Sequence, residues 1–214
     1  MMWDLNCLPD PEIAAEQLDA FETGLARSCK RGTKTSGDNM QVPAEIIHVV
    51  DGDTLYARLR TGGAAEKIRL ADVDAPECKK INIQKPIQSA KCIGDEEYLG
   101  LQSYEYLRNT VENKQVDFSC VLDRATCECT RGYYGRIIGR IALSGRDMSE
   151  LLVQKGLALT YTTSSSDTSD LCRLEKQAQQ SGVGMWHNVK QMNGKMKASK
   201  RATFARHLTQ CGMH

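Results

Sequence analysis

Three short stretches hold residues whose types and spacing could do chemistry on an anionic group. VVDGDTLYA sets Asp51 and Asp53 two apart around Gly52, where a strand turns. Alternation puts both carboxylates on one face, and the glycine lets the backbone bend close to a bound ion; a simple Asp-Gly turn has the same sequence. RLADVDAPE sets Arg69 between Ile68 and Leu70, which must face the other way, and then Asp74, Pro76 and Glu77 where the strand ends. Pro76 stops the ladder and biases Ala75 toward an extended conformation, so the carboxylates of Asp74 and Glu77 and the carbonyls between them can face one pocket. An acidic strand end in water is the plainer account, but it does not explain why acids and an arginine cluster at adjoining strand ends. YYGRIIGRIAL starts a strand with Arg136 after a Gly135 turn; Arg140 shares its face and can equally be a lone surface arginine. Carboxylates are hard ligands for a divalent cation, guanidinium forks suit phosphate oxygens, and a further carboxylate can take a proton from water.

These residues need strands to position them, and from Val42 the pattern supplies them: AEIIHVV, TLYARL and KIRLADV, with TGGAAE as a hairpin-like connection. A helix is predicted over roughly 95–113, with Leu99, Ser103, Tyr106, Thr110 and Val111 on one stripe. QVDFSCVL and GRIIGRIAL read as two more strands. Asp147 and Glu150 form a capping box for a short helix with Met148, Leu151 and Leu152 inward and Gly156 at its end. A third helix from about Thr168 carries Leu171, Leu174 and Ala178 and stops at Gly182. No strand-helix-strand alternation repeats, so the expected fold is α+β, a five-stranded OB-type Greek-key barrel with about three helices. Residues 1–41 read as an N-terminal extension, a helix over about 10–28 and a polar linker, ahead of a domain over 42–186.

VVDGDT, IRLADVDAPE, YYGRIIGRI, GRDMSELLVQKGLA and GVGMW stand in an order that resembles the staphylococcal nuclease (thermonuclease) family over about residues 42–186. The resemblance implies a calcium-dependent phosphodiesterase acting on DNA and RNA, an endonuclease or exonuclease that leaves 3′-phosphates. Asp53 and Asp74 match the carboxylates that bind calcium, with the backbone carbonyl of Ala75 as a further ligand where a threonine is familiar. Asp51 matches a nearby acid that helps to position them. Glu77 matches the residue taken as general base for the attacking water, or as the group that orders it; Arg69 and Arg136 match the pair that holds the phosphate. Tyr134 matches a tyrosine that contacts the nucleotide, although a strand-edge tyrosine would look the same. Tyr161 lies one position from a base-stacking aromatic of the family. Gly132 and Tyr133 replace the acid and basic residue often found there, which bears on the loop that carries Arg136. The chemistry agrees independently: a phosphodiester attacked by water gathers charge on its nonbridging oxygens, which two guanidinium forks and a hard cation can meet while a carboxylate takes the proton.

Composition sets bounds on this reading. The chain has 214 residues, 41% hydrophobic and 26% charged, with no apolar run long enough for a membrane span. The start MMWDLNCLPDPE has neither the basic nor the apolar region of a secretory signal, so the expected place is the cytoplasm; a secreted or periplasmic protein fits if the given start is not the native one. Its partners are then nucleic-acid substrates, with no membrane, no obligate protein partner and a monomeric state expected. Nine cysteines are many. Two insertions bring Cys78, Cys92, Cys127 and Cys129; free thiols are the leading expectation, a disulfide such as Cys78 to Cys92 the next, and a four-cysteine zinc site the least, because Cys127 and Cys129 are too closely spaced. The net charge of +1 hides an acidic first segment and a basic tail over 187–214 with six bases and no acid. That tail reads equally as a flexible, solvated end or as an arm along a phosphate backbone. Two other classes remain open: an OB-type binding module without catalysis, and an accessory protein built on the N-terminal helix and cysteine inserts.

Overall fold

In this computed structural model the described residues are 41–59, 63–82, 90–123, 126, 128–161, 168–197, 200–201, 205, 208 and 211–212. The expected N-terminal helix and its linker, Cys127, and most of the TTSSSDTS stretch lie outside them. Strands β1 (Val42–Val49), β2 (Thr54–Arg58) and β3 (Ala65–Leu70) form an antiparallel meander. A two-residue β4 (Val73–Asp74) follows, then a hairpin of β5 (Cys78–Asn82) and β6 (Ala90–Asp95), and then helix α1 (Gly100–Val111). β7 (Gln115–Cys120) returns beside β1, and β8 (Ile137–Leu143) pairs antiparallel with β7. The other edge of β8 runs parallel to β3, with Ile68 opposite Ile137 and Arg69 opposite Ile138, and this closes a five-stranded barrel of the OB type.

The alternation of side chains explains the closure. Ile46, Leu55, Ile68, Leu70, Phe118 and Ile141 point inward and are fully buried, and each contributes roughly 1.5–3 kcal/mol by leaving water. After β9 (Arg146–Asp147), the carboxylate of Asp147 accepts from the Glu150 backbone N–H and caps α2 (Met148–Gln154), as the capping box predicts. β10 (Leu159–Thr160) pairs with β4, and α3 (Ser169–Ser181) ends at Gly182, which takes a left-handed φ of 61°.

Three expectations are corrected. Helix α1 starts at Gly100 and not near Asp95, because residues 90–95 are drawn into β6 and Leu99 sits in the left-handed region with φ 67°. Its buried face is therefore Ser103, Tyr104, Leu107 and Val111, leaving Tyr106 and Thr110 only half-buried. The six cysteines among the described residues are paired: disulfides join Cys78 to Cys92 across the hairpin, Cys120 to Cys129, and Cys172 to Cys211, with Cα atoms 5.6, 5.5 and 5.3 Å apart. Cys78 and Cys129 thus belong to different bridges, which removes the four-cysteine zinc site. The described part of the tail is also folded. A short turn at Gly184–Asn188 leads into α4 (Val189–Lys195), and Met192 and Met196 are buried with Leu159, Ala178, Met185 and Trp186 in a second small core. Among the described residues no helix is long and apolar enough to cross a membrane.

Candidate active site

Asp51 and Asp53 occupy the tight turn between β1 and β2, and both are nearly inaccessible to solvent, at 8% and 3%. The loop packs this closely because Gly52 has no side chain: a Cβ there would stand 2.7 Å from the Cβ of Ala75 and 2.8 Å from that of Ser103. Asp53 accepts from the hydroxyl of Thr54 at 3.0 Å and, through its other oxygen, from the Ala75 backbone N–H at 2.8 Å. Arg69 projects from β3, opposite Thr54, and forms ion pairs with Asp53 and, at 2.8 Å, with Asp74 at the end of β4. Its guanidinium also donates to the Val73 carbonyl at 3.1 Å. The structure thus brings Asp53, Arg69 and Asp74 into contact, while the glycine serves protein packing against Ala75 and Ser103.

Burial pushes the carboxyl of Asp53 up to about 7, against the opposing charge of Arg69; Asp51 and Asp74 add to the rise. Burial likewise works on Asp51, but Lys80 of the β5–β6 hairpin, 2.6 Å away, holds it below the ordinary carboxylate range. The two carboxylates of the turn are therefore held apart in their proton affinity, Asp53 raised first by its burial and Asp51 lowered by Lys80.

Glu77 follows Pro76 at the start of the hairpin, and its half-buried side chain faces Lys80 at 3.5 Å. Its backbone is fixed by Glu97, whose carboxylate accepts from the Glu77 N–H at 2.9 Å, while the Glu77 carbonyl accepts from the Glu97 N–H at 2.8 Å. The contact tolerates no bulk, since a Cβ on Gly100 would stand 2.0 Å from the Glu77 carbonyl oxygen. Glu97 is 4% exposed and also meets the ammonium of Lys200 at 2.9 Å. Lys200 itself donates to the Ala75 carbonyl at 2.9 Å and stands 3.2 Å from Asp74. Burial works to lower the Lys200 pKa, but Asp74 and Glu97 raise it more, so it stays above its ordinary value.

Arg136 stands at the edge of this cluster, directly before β8. It is half-buried, its Nε donates to the Tyr133 carbonyl at 3.1 Å, and it makes no ion pair among the described residues. It lies near Lys67 of β3, whose pKa burial and the Arg136 charge together lower. Tyr133 and Tyr134 beside it are 84% and 93% exposed, Tyr134 with a φ of 62°. Tyr161 follows β10, is 42% exposed, and is anchored by its N–H to the Asp72 carbonyl at 2.7 Å. Arg140 is no free surface arginine: it pairs with Asp72 and, at 3.8 Å, with Asp147.

One connected network thus joins Asp51, Asp53, Arg69, Asp74, Ala75 and Glu77, with Arg136, Tyr134 and Tyr161 outside its hydrogen bonds. Lys80, Glu97 and Lys200 are members that sequence reasoning missed. Nothing local marks them, because the Lys200 contact to Ala75 spans 125 positions. No three His, Cys, Asp or Glu side chains form a metal cage among the described residues. The carboxylates of Asp53 and Asp74 and the carbonyl of Ala75 are nevertheless hard oxygen donors of the kind calcium takes, and an ammonium already stands on two of the three.

A family model described as Staphylococcal nuclease homologue matches residues 67–188, more than half of the chain. The match includes Arg69, Asp74, Ala75, Glu77, Tyr134, Arg136 and Tyr161 and begins after Asp51 and Asp53. No curated protein matches the chain.

Proposed function

The chain belongs to the family of staphylococcal nuclease homologues, and on that premise we propose that it is a calcium-dependent nuclease, hydrolysing DNA and RNA to 3′-phosphate ends. The observation that carries the reading is the bonded cluster of Asp53, Arg69, Asp74 and Ala75 with the half-buried Glu77 beside it and, at its edge, the guanidinium of Arg136, which makes no ion pair among the described residues. Asp53, Asp74 and the Ala75 carbonyl would hold the cation, with Asp51 keeping the turn in place. Bound calcium would supply Lewis-acid polarisation of the phosphate.

The chain's own groups do the rest. Arg136 is free to meet a phosphate oxygen with its fork, and Arg69 keeps a guanidinium at the cation seat where charge develops. Glu77 takes the proton of the attacking water or orders it; the new P–O bond forms as the bond to the 5′-oxygen breaks, leaving the phosphate on the 3′ side. Its backbone is clamped at both N–H and C=O by Glu97, which restricts where the carboxylate can reach. Tyr134 and Tyr161 offer exposed aromatic faces for a nucleotide.

A second reading, a binding module with weak or no catalysis, draws support from the same cluster, since the oxygens of Asp53 and Asp74 are bonded to internal cations. Cleavage of plasmid DNA and of RNA by the purified chain separates the two. Calcium is expected to activate, a calcium chelator to abolish, and magnesium to support little turnover because it sheds water reluctantly and demands octahedral geometry. Absence of calcium-stimulated cleavage on both substrates would transfer the conclusion to the binding module.

A further inference from the structure

We propose that the C-terminal segment is an intramolecular competitor for the cation: Lys200 occupies part of the seat, and calcium enters as that segment withdraws. The inference rests on the reading of Asp53, Asp74 and Ala75 as the cation seat. The ammonium of Lys200 lies 2.9 Å from the Ala75 carbonyl and 3.2 Å from Asp74, two of the three donors, with Glu97 at 2.9 Å completing an all-oxygen surround. A lysine ammonium is a compact point charge on a flexible stem, so it can stand where a small ion would and leave without disturbing the fold. It cannot stay beside a divalent ion on the same oxygens, because like charges a few ångströms apart repel strongly in a buried setting.

The segment carrying Lys200 is held close rather than locked. Met192 and Met196 are buried against Leu159 and Met185, the Lys197 backbone N–H donates to the other oxygen of Glu97 at 3.1 Å, and Cys211 is bonded to Cys172 of α3. The bridge keeps a withdrawn segment near and so favours its return. Calcium affinity is then reduced by the fraction of molecules whose seat is open: a segment closed about nine-tenths of the time weakens binding roughly tenfold.

Calorimetric titration of calcium into the full, oxidised chain tests this. Lys200→Met keeps an apolar stem and removes the charge, and is expected to bind calcium about tenfold or more tightly than wild type; Lys200→Arg keeps a cation and is expected to stay near wild type. Equal affinity of wild type and Lys200→Met, or weaker binding by the variant, overturns the competitor while leaving cleavage, and so the nuclease reading, intact. Calcium binding by none of the three proteins removes the seat and both readings with it. Tighter binding without cleavage by any protein supports the competitor and removes only the nuclease. A second measurement needs no variant: acetylation of Lys200 in wild type by an amine-reactive ester, followed by mass spectrometry, is expected to speed up on addition of calcium while that of the exposed Lys190 does not. No change at Lys200 with calcium bound overturns the proposal.

Discussion

Arg69 and Arg136 carry the same group with different partners. Both are half-buried, but Arg69 is ion-paired with Asp53 and Asp74, whereas Arg136 makes no ion pair among the described residues. Arg69→Ala leaves the buried Asp53 without its ion-pair partner, while Asp74 keeps Lys200; losing one partner of a buried pair costs about 3–5 kcal/mol. We expect it to lower both the midpoint of urea unfolding and the cleavage rate. Arg136→Ala should leave the midpoint unchanged and lower the rate by at least about 10²-fold, and lysine should restore little because one ammonium does not reproduce a fork. An Arg136→Ala protein as fast as wild type would contradict its role at the phosphate. Glu77→Gln is expected to slow single-turnover cleavage with nucleic-acid affinity nearly unchanged, because it removes a proton acceptor and no phosphate contact; an equal loss in both would point to a binding role. These residues were legible in the sequence because the chemistry is written in short motifs. Their partners Lys80, Glu97 and Lys200 were not, since a lysine or glutamate that joins a site from a distant element looks like any solvated charge.

At the scale of elements, the barrel strands were legible because each buries alternate side chains, while the first helix was misplaced because acids before a helix look like its first turn. The turn between β1 and β2 shows what local pattern cannot give. Gly52 there has no special backbone angle to betray it; it is small because Ala75 and Ser103 press against it. Gly52→Ala is therefore expected to push the turn away from Ala75, costing about 1–3 kcal/mol of stability by overpacking and weakening calcium binding. Chemical denaturation and calorimetry check the two effects, and a variant with wild-type stability would show that the neighbours yield. The β5–β6 hairpin escaped the sequence reading as well. Its Lys-rich strands carry little hydrophobic signal, and the Cys78–Cys92 bridge that ties them cannot be inferred from spacing alone.

For the whole molecule, the three disulfides matter most. A thiol-rich chain with no recognisable signal led to a cytoplasmic expectation, whereas three bridges support the alternative of an oxidising compartment, which we propose in its place. Each bridge contributes on the order of 2–4 kcal/mol, so a strong dithiol reductant is expected to shift the unfolding midpoint well downward; an unchanged midpoint would mean that the cysteines are not paired in solution. The described part of the basic tail returns to the barrel through α4, and two of its bases, Lys197 and Lys200, meet the acids Glu96, Glu97 and Asp74. The pairing of β3 with β8 joins segments roughly seventy positions apart, and it bears on the order in which the chain is made. A nascent chain that has emerged only as far as β7 carries Asp53, Arg69, Asp74 and Glu77 but neither Arg136 nor the strand that closes the barrel. If the proposed reaction holds, the growing polypeptide stays harmless to the message that encodes it until β8 has left the ribosome.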